Sequence, residues 1–256
     1  MRADKPMFGP MLYIRTFYRL VGFIIITFLA AFIGIILKLF GARHQSIFKV
    51  YNAWKGSILL VMNIKVEQEG SAPELPGIIM ANHRSYVDVA VTPAKIPFVI
   101  VAKKSVRSWP LVGLGADAIR TIWVDRESKD SRAETRASMR DRLENGGSVL
   151  VFPEGTTDKG PGLLELKPGM FHVCAEGGFP VYPMAIEYQD QDIAWVGDDL
   201  FIPHFIKHFG QARVRVKVRY GPMLKGDDGE QLRLKTYDWL DENLRNMRNV
   251  WDAAQD

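Results

Sequence analysis

Apolar positions along the chain follow two different rules. From Leu20 to Leu37 the sequence LVGFIIITFLAAFIGIIL runs for eighteen residues without a charge. As a helix rising 1.5 Å per residue it is roughly 27 Å long, enough to cross the hydrocarbon core of a bilayer. The run is longer than a signal-peptide core, lies deep in the chain and is followed by Lys38 with no small-x-small cleavage site, so a retained anchor is expected. It also exceeds the patterning of an ordinary buried core helix. A second stretch, Ile47 to Val66, mixes Phe48, Tyr51, Trp54, Ile58 and Met62 with lysines, the composition of an amphipathic helix in a membrane interface. The two predict a membrane-attached helical hairpin, with a single span as the rival. Arg15 and Arg19 precede the run and Lys38 and Arg43 follow it, so the positive-inside rule sets no orientation.

After Glu67 the rule changes to short apolar runs between polar, helix-like stretches. GIIMA before Asn82, PFVIVA before Lys103, IRTIWV before Asp125, SVLVF before Pro153 and PVYPMAIEY from Pro180 are rich in Val and Ile, which predicts buried strands. Between Val124 and Ser148, residues Ala133, Ala137, Arg140 and Leu143 mark a helical face that Asn145-Gly146-Gly147 ends. The alternation in ARVRVKVRY, Ala212–Tyr220, predicts a half-solvated strand with Val214, Val216 and Val218 inward and its arginines exposed. Leu240, Leu244, Met247 and Trp251, at helical spacing, predict a closing helix packed on the sheet. The expected fold class is α/β: a mostly parallel central sheet flanked by helices, with an N-terminal membrane-attached helical segment. The expected division is 1–66 for the membrane-anchoring helices and 67–256 for the α/β domain.

Composition narrows the class, and the location of the charge narrows it further. The 256 residues are 47% hydrophobic and 24% charged, ample for a sizeable core and unlike a disordered chain. One cysteine, Cys174, excludes an internal disulfide framework and any metal site built on several thiolates. Between Lys5 and Val66 there are eight basic residues and no acidic one, whereas residues 67–256 hold 24 basic and 28 acidic groups. A basic stripe across the folded domain, the mark of nucleic-acid binding, is therefore not expected. The basic N-terminal quarter suits an anionic lipid surface, where each basic group contributes about 1 kcal/mol.

Two segments carry candidate chemistry, each directly after a predicted strand. In Asn82-His83-Arg84-Ser85-Tyr86-Val87-Asp88 a histidine leaves the strand with a carboxylate five residues later. If a short turn leads into a helix, that carboxylate holds one ring nitrogen as N–H and leaves the other free to accept a proton. A strand-end histidine is also a common structural residue, so this segment alone decides little. In Phe152-Pro153-Glu154-Gly155-Thr156-Thr157-Asp158, Phe-Pro stops a strand, Glu154 brings a carboxylate to its end and Gly155 lets the backbone approach a ligand. A plain turn with a helix cap fits that segment equally well.

Taken in order, four blocks resemble those of the glycerolipid acyltransferase family that includes 1-acylglycerol-3-phosphate (lysophosphatidic acid) O-acyltransferases. They are His83-x4-Asp88 after Asn82, Val124-Asp125-Arg126, FPEGT at 152–156, and Val181-Tyr182-Pro183-Met184-Ala185-Ile186, and they span about two fifths of the chain. The first and third are specific in combination; the second and fourth convince by order and spacing. The basic hydrophobic N-terminus is similar to the membrane-attachment region of bacterial members. The resemblance implies transfer of a fatty acyl group from acyl-CoA or acyl carrier protein to the free hydroxyl of a lysolipid, first of all 1-acylglycerol-3-phosphate giving phosphatidic acid. It implies His83 as general base, Asp88 as its orienter and no covalent intermediate. It gives no role to Ser85 or Cys174, the other nucleophile types present. Glu154, Gly155 and Thr156 match the acceptor-binding block, and Arg126 matches the arginine closing the second block, where a guanidinium suits a phosphate. Lys103 and Lys104, at a strand end, add charge for the same anion or are simply solvated. No cofactor is implied beyond the thioester co-substrate. The partners implied are the lysolipid, the acyl thioester donor, acyl carrier protein included, and an anionic membrane surface, without nucleic acid. Cytosolic donors imply a catalytic domain on the cytoplasmic side of the cell inner membrane.

The chain departs from the family in the third block. Many lysophosphatidic acid enzymes read FPEGTRS, whereas Thr157 and Asp158 stand here in place of the arginine and serine, which disfavours a phosphomonoester. A related branch acylates lyso-ornithine lipid, and Ile193–Tyr220, with Trp195, Gly197-Asp198 and Pro203-His204, resembles it. That lipid is the alternative acceptor. A non-catalytic lipid-binding membrane module is the alternative of a different class, opposed by the His83–Asp88 pair. A metal hydrolase is disfavoured because His204 and His208, four apart, lack the glutamate of HExxH.

Overall fold

The apolar run is the middle of a 30-residue helix, α1 (Pro10–Leu39), joined by a short turn to α2 (His44–Val61). The computed structural model describes residues 10–92 and 94–253. Within α1 the burial of an ordinary surface helix is inverted. Thr16, Arg19, Thr27, Ala31 and Gly34, three or more residues apart, face the protein, while Phe17, Ile24, Phe28 and Phe32 are exposed. By length and composition it is the one helix among the described residues able to cross a membrane. Gly22 packs against Val61, and Trp54 donates its indole N–H to Thr27 Oγ1 at 3.1 Å, so α1 and α2 form a hairpin. The apolar side of α2 is not turned to an interface: Phe48, Tyr51 and Ile58 are buried in the protein core. Helical spacing of apolar residues suits a lipid surface and a sheet surface equally, and here the sheet is the nearer partner.

The strands are β1 (Ile64–Glu69), β2 (Ile78–Ala81), β3 (Phe98–Lys103), β4 (Ile122–Val124), β5 (Ser148–Val151), β6 (Val181–Tyr188) and β7 (Val214–Tyr220). They form one sheet in the order β1-β7-β6-β2-β5-β3-β4, parallel throughout except between β6 and β7. Strand β1, IKVEQE, carries no apolar run that would predict it, because it is an edge strand with one buried residue, Ile64. That strand straddles residue 67 and pairs with β7 from Ile64 opposite Val214 to Glu69 opposite Arg219.

Every residue of β2, β5 and β6 is buried, as in a parallel sheet covered on both faces. Alternation sends Ile79 and Ala81 to the side of α2, where they meet Phe48 and Tyr51. Ile78 and Met80 go to the other side, against Met139 of α5 (Lys129–Glu144), Phe171 of α6 (Gly169–Gly177) and Leu240, Leu244 and Met247 of α8 (Gly229–Ala253). Each such buried side chain contributes roughly 1.5–3 kcal/mol. The short helices α3 (Asp88–Val91) and α4 (Val112–Ala118), with α7 (Phe201–Phe209), pack on the hairpin, α3 on α2 and the other two on α1.

Two expectations need correction. The inward face of α5 is Thr135, Met139 and Leu143, while Ala133 and Ala137 are exposed, because alanine at helical spacing carries too little apolar surface to decide the rotation. Nor is β7 half-solvated. Arg215 is exposed, but Lys217 is buried with Nζ 4.3 Å from the Trp251 ring and Arg219 pairs with Glu69, since α8 covers that side.

Candidate active site

Parallel strands bring the loops after β2, β3, β4 and β5 to one edge of the sheet. Asn82, the first residue past β2, is fully buried and bonds both polar groups of Ile186 on neighbouring β6. Its Nδ2 donates to the Ile186 carbonyl at 2.9 Å and its Oδ1 accepts the Ile186 N–H at 2.7 Å. The chain then turns so that Asp88, opening α3, points back along it. Asp88 Oδ2 accepts the backbone N–H of Arg84 at 2.7 Å and of Ser85 at 3.0 Å, and lies 2.7 Å from His83 Nδ1. Its Oδ1 accepts the Tyr188 hydroxyl at 2.8 Å. A carboxylate brings no proton to the histidine contact, so Nδ1 carries it, and in the neutral ring the lone pair is then on Nε2. The imidazole stacks on Phe152, centroids 4.2 Å apart and planes 21° from parallel.

Glu154 stands behind His83. Its Oε1 accepts the His83 N–H at 2.7 Å and its Oε2 the Leu164 N–H at 3.1 Å, so both oxygens join backbone segments. Burial pushes its pKa up, against the pull of those two N–H donors and of Arg84. Gly155 adopts φ +75°, the left-handed conformation that favours glycine, and its carbonyl accepts from Arg126 Nη1. Of the residues singled out in the sequence, His83, Lys103, Arg126 and Thr156 line one cavity, whereas Asp88, Glu154 and Gly155 support it from behind.

That cavity has a volume of about 520 Å³. Away from His83 it is walled by Ala31 and Gly34 of α1, Tyr51 and Trp54 of α2, and Gly115 and Ala116 of α4. Sequence reasoning missed this apolar wall because its residues come from three separate helices, none with a local signal of a cavity. Trp195 also lines it, and carries one of the contacts that explain the departure in the third block. Thr157 donates its hydroxyl to the Trp195 carbonyl, and Asp158 Oδ1 accepts Arg84 Nη1 at 3.2 Å and the Gly160 N–H at 2.7 Å. The Asp158 charge is thus turned to Arg84. That arginine, 1% exposed, also donates from Nε and Nη2 to Glu187 Oε2 at 3.3 Å, and Glu187 in turn bonds Arg248. Arg84 and Phe152 lie within the two segments singled out in the sequence, but nothing local announced their contacts, nor those of Tyr188.

The other nucleophile types lie elsewhere. Ser85 and Cys174 are fully buried and line no part of the cavity, and burial pushes the Cys174 thiol up to about 12. His204 Nδ1 lies 3.1 Å from the Tyr86 hydroxyl and His208 Nδ1 3.8 Å from Asp190 Oδ2, both rings buried on α7. No cluster of three or more potential metal ligands occurs among the described residues.

A histidine at a strand end, braced by a buried carboxylate, thus opens on an apolar cavity beneath the long apolar helix. The profile of the Acyltransferase family matches residues 63–187, and the chain belongs to that family. It is 32% identical over 156 residues to the lyso-ornithine lipid O-acyltransferase of Pseudomonas aeruginosa, covering 59% of this chain and 60% of the relative. It is 30% identical over 193 residues to the protein of the same name from Rhizobium meliloti, covering 68% and 66%. To the 1-acyl-sn-glycerol-3-phosphate acyltransferase of Neisseria meningitidis serogroup B it is 30% identical over 136 residues, covering 52% and 53%. The chain thus matches between about half and two thirds of these relatives' length. The fold is shared with the crystal structure of the 1-acyl-sn-glycerophosphate (LPA) acyltransferase from Thermotoga maritima. That match has a TM-score of 0.69 at 18% identity and covers 92% of this chain and 95% of that one.

Proposed function

We infer that the chain is a membrane-attached lysolipid O-acyltransferase, moving a fatty acyl group from acyl-CoA or acyl carrier protein to a lysolipid hydroxyl. The observation that carries this reading is the 2.7 Å contact between His83 Nδ1 and Asp88 Oδ2, with His83 facing the apolar cavity. With Nδ1 protonated, Nε2 takes the proton of the acceptor hydroxyl as its oxygen attacks the thioester carbonyl. The new C–O bond gives a tetrahedral oxyanion. Its collapse breaks the C–S bond, and the departing thiolate takes the proton back from His83. Asp88 stabilises the imidazolium formed in between. The cavity takes the acyl chain, and Arg126 and Lys103 meet an anionic headgroup.

Helix α1, within the 1–66 segment expected as the anchor, attaches the α/β body to the inner membrane, on the cytoplasmic side where both thioester donors occur. The packing of α1 against α2, α4 and α7 supports a helix lying along the membrane with its apolar side in the lipid.

Lyso-ornithine lipid is placed first as acceptor, reversing the order drawn from the family resemblance alone. The relatives named for that lipid support it, and so does Thr157, which stands where a cation would favour a phosphomonoester. Lysophosphatidic acid is the second reading, favoured by the cations Arg126 and Lys103 on the cavity. The test is the purified full chain in vesicles with radiolabelled acyl-CoA or acyl carrier protein, each lysolipid offered separately. Product from lyso-ornithine lipid alone supports the first acceptor, and product from lysophosphatidic acid alone the second. The His83→Ala variant is expected to lose about 10²- to 10⁴-fold in kcat while still binding vesicles. No acylation of either acceptor with either donor removes the enzymatic reading and favours a lipid-binding module.

A further inference from the structure

Three consecutive residues at the end of β6 receive the histidine segment. Ile186 is bonded by Asn82, Glu187 by Arg84 and Tyr188 by Asp88. Alternation along a strand turns Glu187 and Tyr188 to opposite faces, so the segment is gripped on both sides of the sheet. Tyr188 is the member that meets the base–orienter pair. Its hydroxyl donates to Asp88 Oδ1 at 2.8 Å, with Tyr188 2% exposed and Asp88 wholly buried.

The two oxygens of Asp88 are held very unequally. Oδ2 faces His83 and accepts the N–H groups of Arg84 and Ser85, whereas Oδ1 has only the Tyr188 hydroxyl among the described residues. A carboxylate fixed at one oxygen turns about its Cβ–Cγ bond; a donor on the second oxygen sets its plane. The phenol is suited to that task. Burial first, then the charge of Asp88, hold its pKa well above the usual phenol range, so it stays a neutral donor. Tyr188 lines no part of the cavity, and its hydroxyl reaches the pair through Asp88.

We propose that Tyr188 is a positioning residue for acyl transfer. By donating to Asp88 Oδ1 it sets the plane of the carboxylate that holds the His83 Nδ1–H, and with it the direction in which Nε2 meets the acceptor hydroxyl. This rests on the acyltransferase reading above, and the test separates the two.

The variant is Tyr188→Phe in the full chain in vesicles, alone and combined with Asp88→Asn. Loss of one hydrogen bond to a charged group is expected to lower kcat about 10- to 100-fold, with KM for both substrates within about twofold. On an Asp88→Asn background the same change is expected to cost less than about twofold more, because both act through one path. A loss shared between kcat and KM, or one fully additive with Asp88→Asn, overturns the proposal. If Tyr188→Phe alone does not fold, recovery of folding on adding Asp88→Asn supports the pairing, and failure of both variants overturns it. A second readout needs no substrate: the downfield Nδ1 proton of His83, followed by histidine-labelled NMR, is expected to move in Tyr188→Phe. An unmoved resonance overturns the positioning role even in an active enzyme. A moved resonance in a protein that acylates no lysolipid keeps Tyr188 as the residue that orients the His83–Asp88 pair and removes the acyltransferase reading.

Discussion

Arg19 Nη1 donates to the Phe209 carbonyl at 2.7 Å, tying the apolar helix α1 to the last residue of α7. The same guanidinium reaches the carbonyls of Gln211 at 2.5 Å and Ala212 at 3.2 Å, closing the end of α7 with a cation where the helix dipole favours one. The apolar helix is therefore fastened to the α/β body along its polar stripe, leaving its apolar side outward.

Arg19→Met keeps the aliphatic length and removes the donors. It is expected to destabilise the protein by about 2–3 kcal/mol, since buried carbonyls lose a charged partner, and to speed amide exchange in the last turn of α7. Vesicle binding should be retained, because the exposed face of α1 is untouched. Denaturant titration and hydrogen exchange measure both; an unchanged midpoint would show that Arg19 does not hold the helix.

Asp158→Ser tests whether the acidic residue in the third block selects the acceptor. Its carboxylate is directed to Arg84, so the expected result is a loss of about 1–3 kcal/mol in stability with acceptor preference intact. A change of more than about fivefold in the ratio of kcat/KM for the two lysolipids would instead make Asp158 a specificity residue.

Gly115 faces α1, a Cβ built on it lying 3.9 Å from that of Ala31. In Gly115→Leu the added side chain fills cavity space between α1 and α4. Long acyl donors are expected to lose about tenfold or more in kcat/KM and short ones much less. An equal loss at every chain length would mean that the acyl chain lies elsewhere.

Asp190 carries an acid dependence of stability. His208 beside it, helped by the Gln211 amide and the Asp192 N–H, outweighs burial and holds its carboxyl at about 2, below the ordinary 3.8. A depressed carboxyl is bound less tightly by protons in the native state than in the unfolded one. Its stabilisation is therefore complete above about pH 4 and is lost as pH falls through about 2. The side chain is 41% exposed, so solvent screening limits the contribution to about 1 kcal/mol. Asp190→Asn should be less stable than wild type by that amount at neutral pH and approach it as pH falls below about 2, as read by denaturant titration across the range.

Whatever depends on a few consecutive residues was legible in the sequence: six of the seven strands, the closing helix with Leu240, Leu244, Met247 and Trp251 buried, the long apolar helix, and the pairing of His83 with Asp88. Strand burial and a base–carboxylate contact across one turn are local properties, and local spacing encodes them. Only the tertiary structure decided that α2 turns its apolar side to the sheet, that Glu154 bonds backbone and leaves the cavity to Arg126, and that Asp158 answers Arg84. It also decided the edge strand β1, the apolar wall from three helices, and the contacts of Arg19 with Phe209 and Asp88 with Tyr188, 190 and 100 residues apart. Spacing along a chain says which residues share a face. Which partner covers that face depends on how distant segments pack, and that is settled only when the whole core closes.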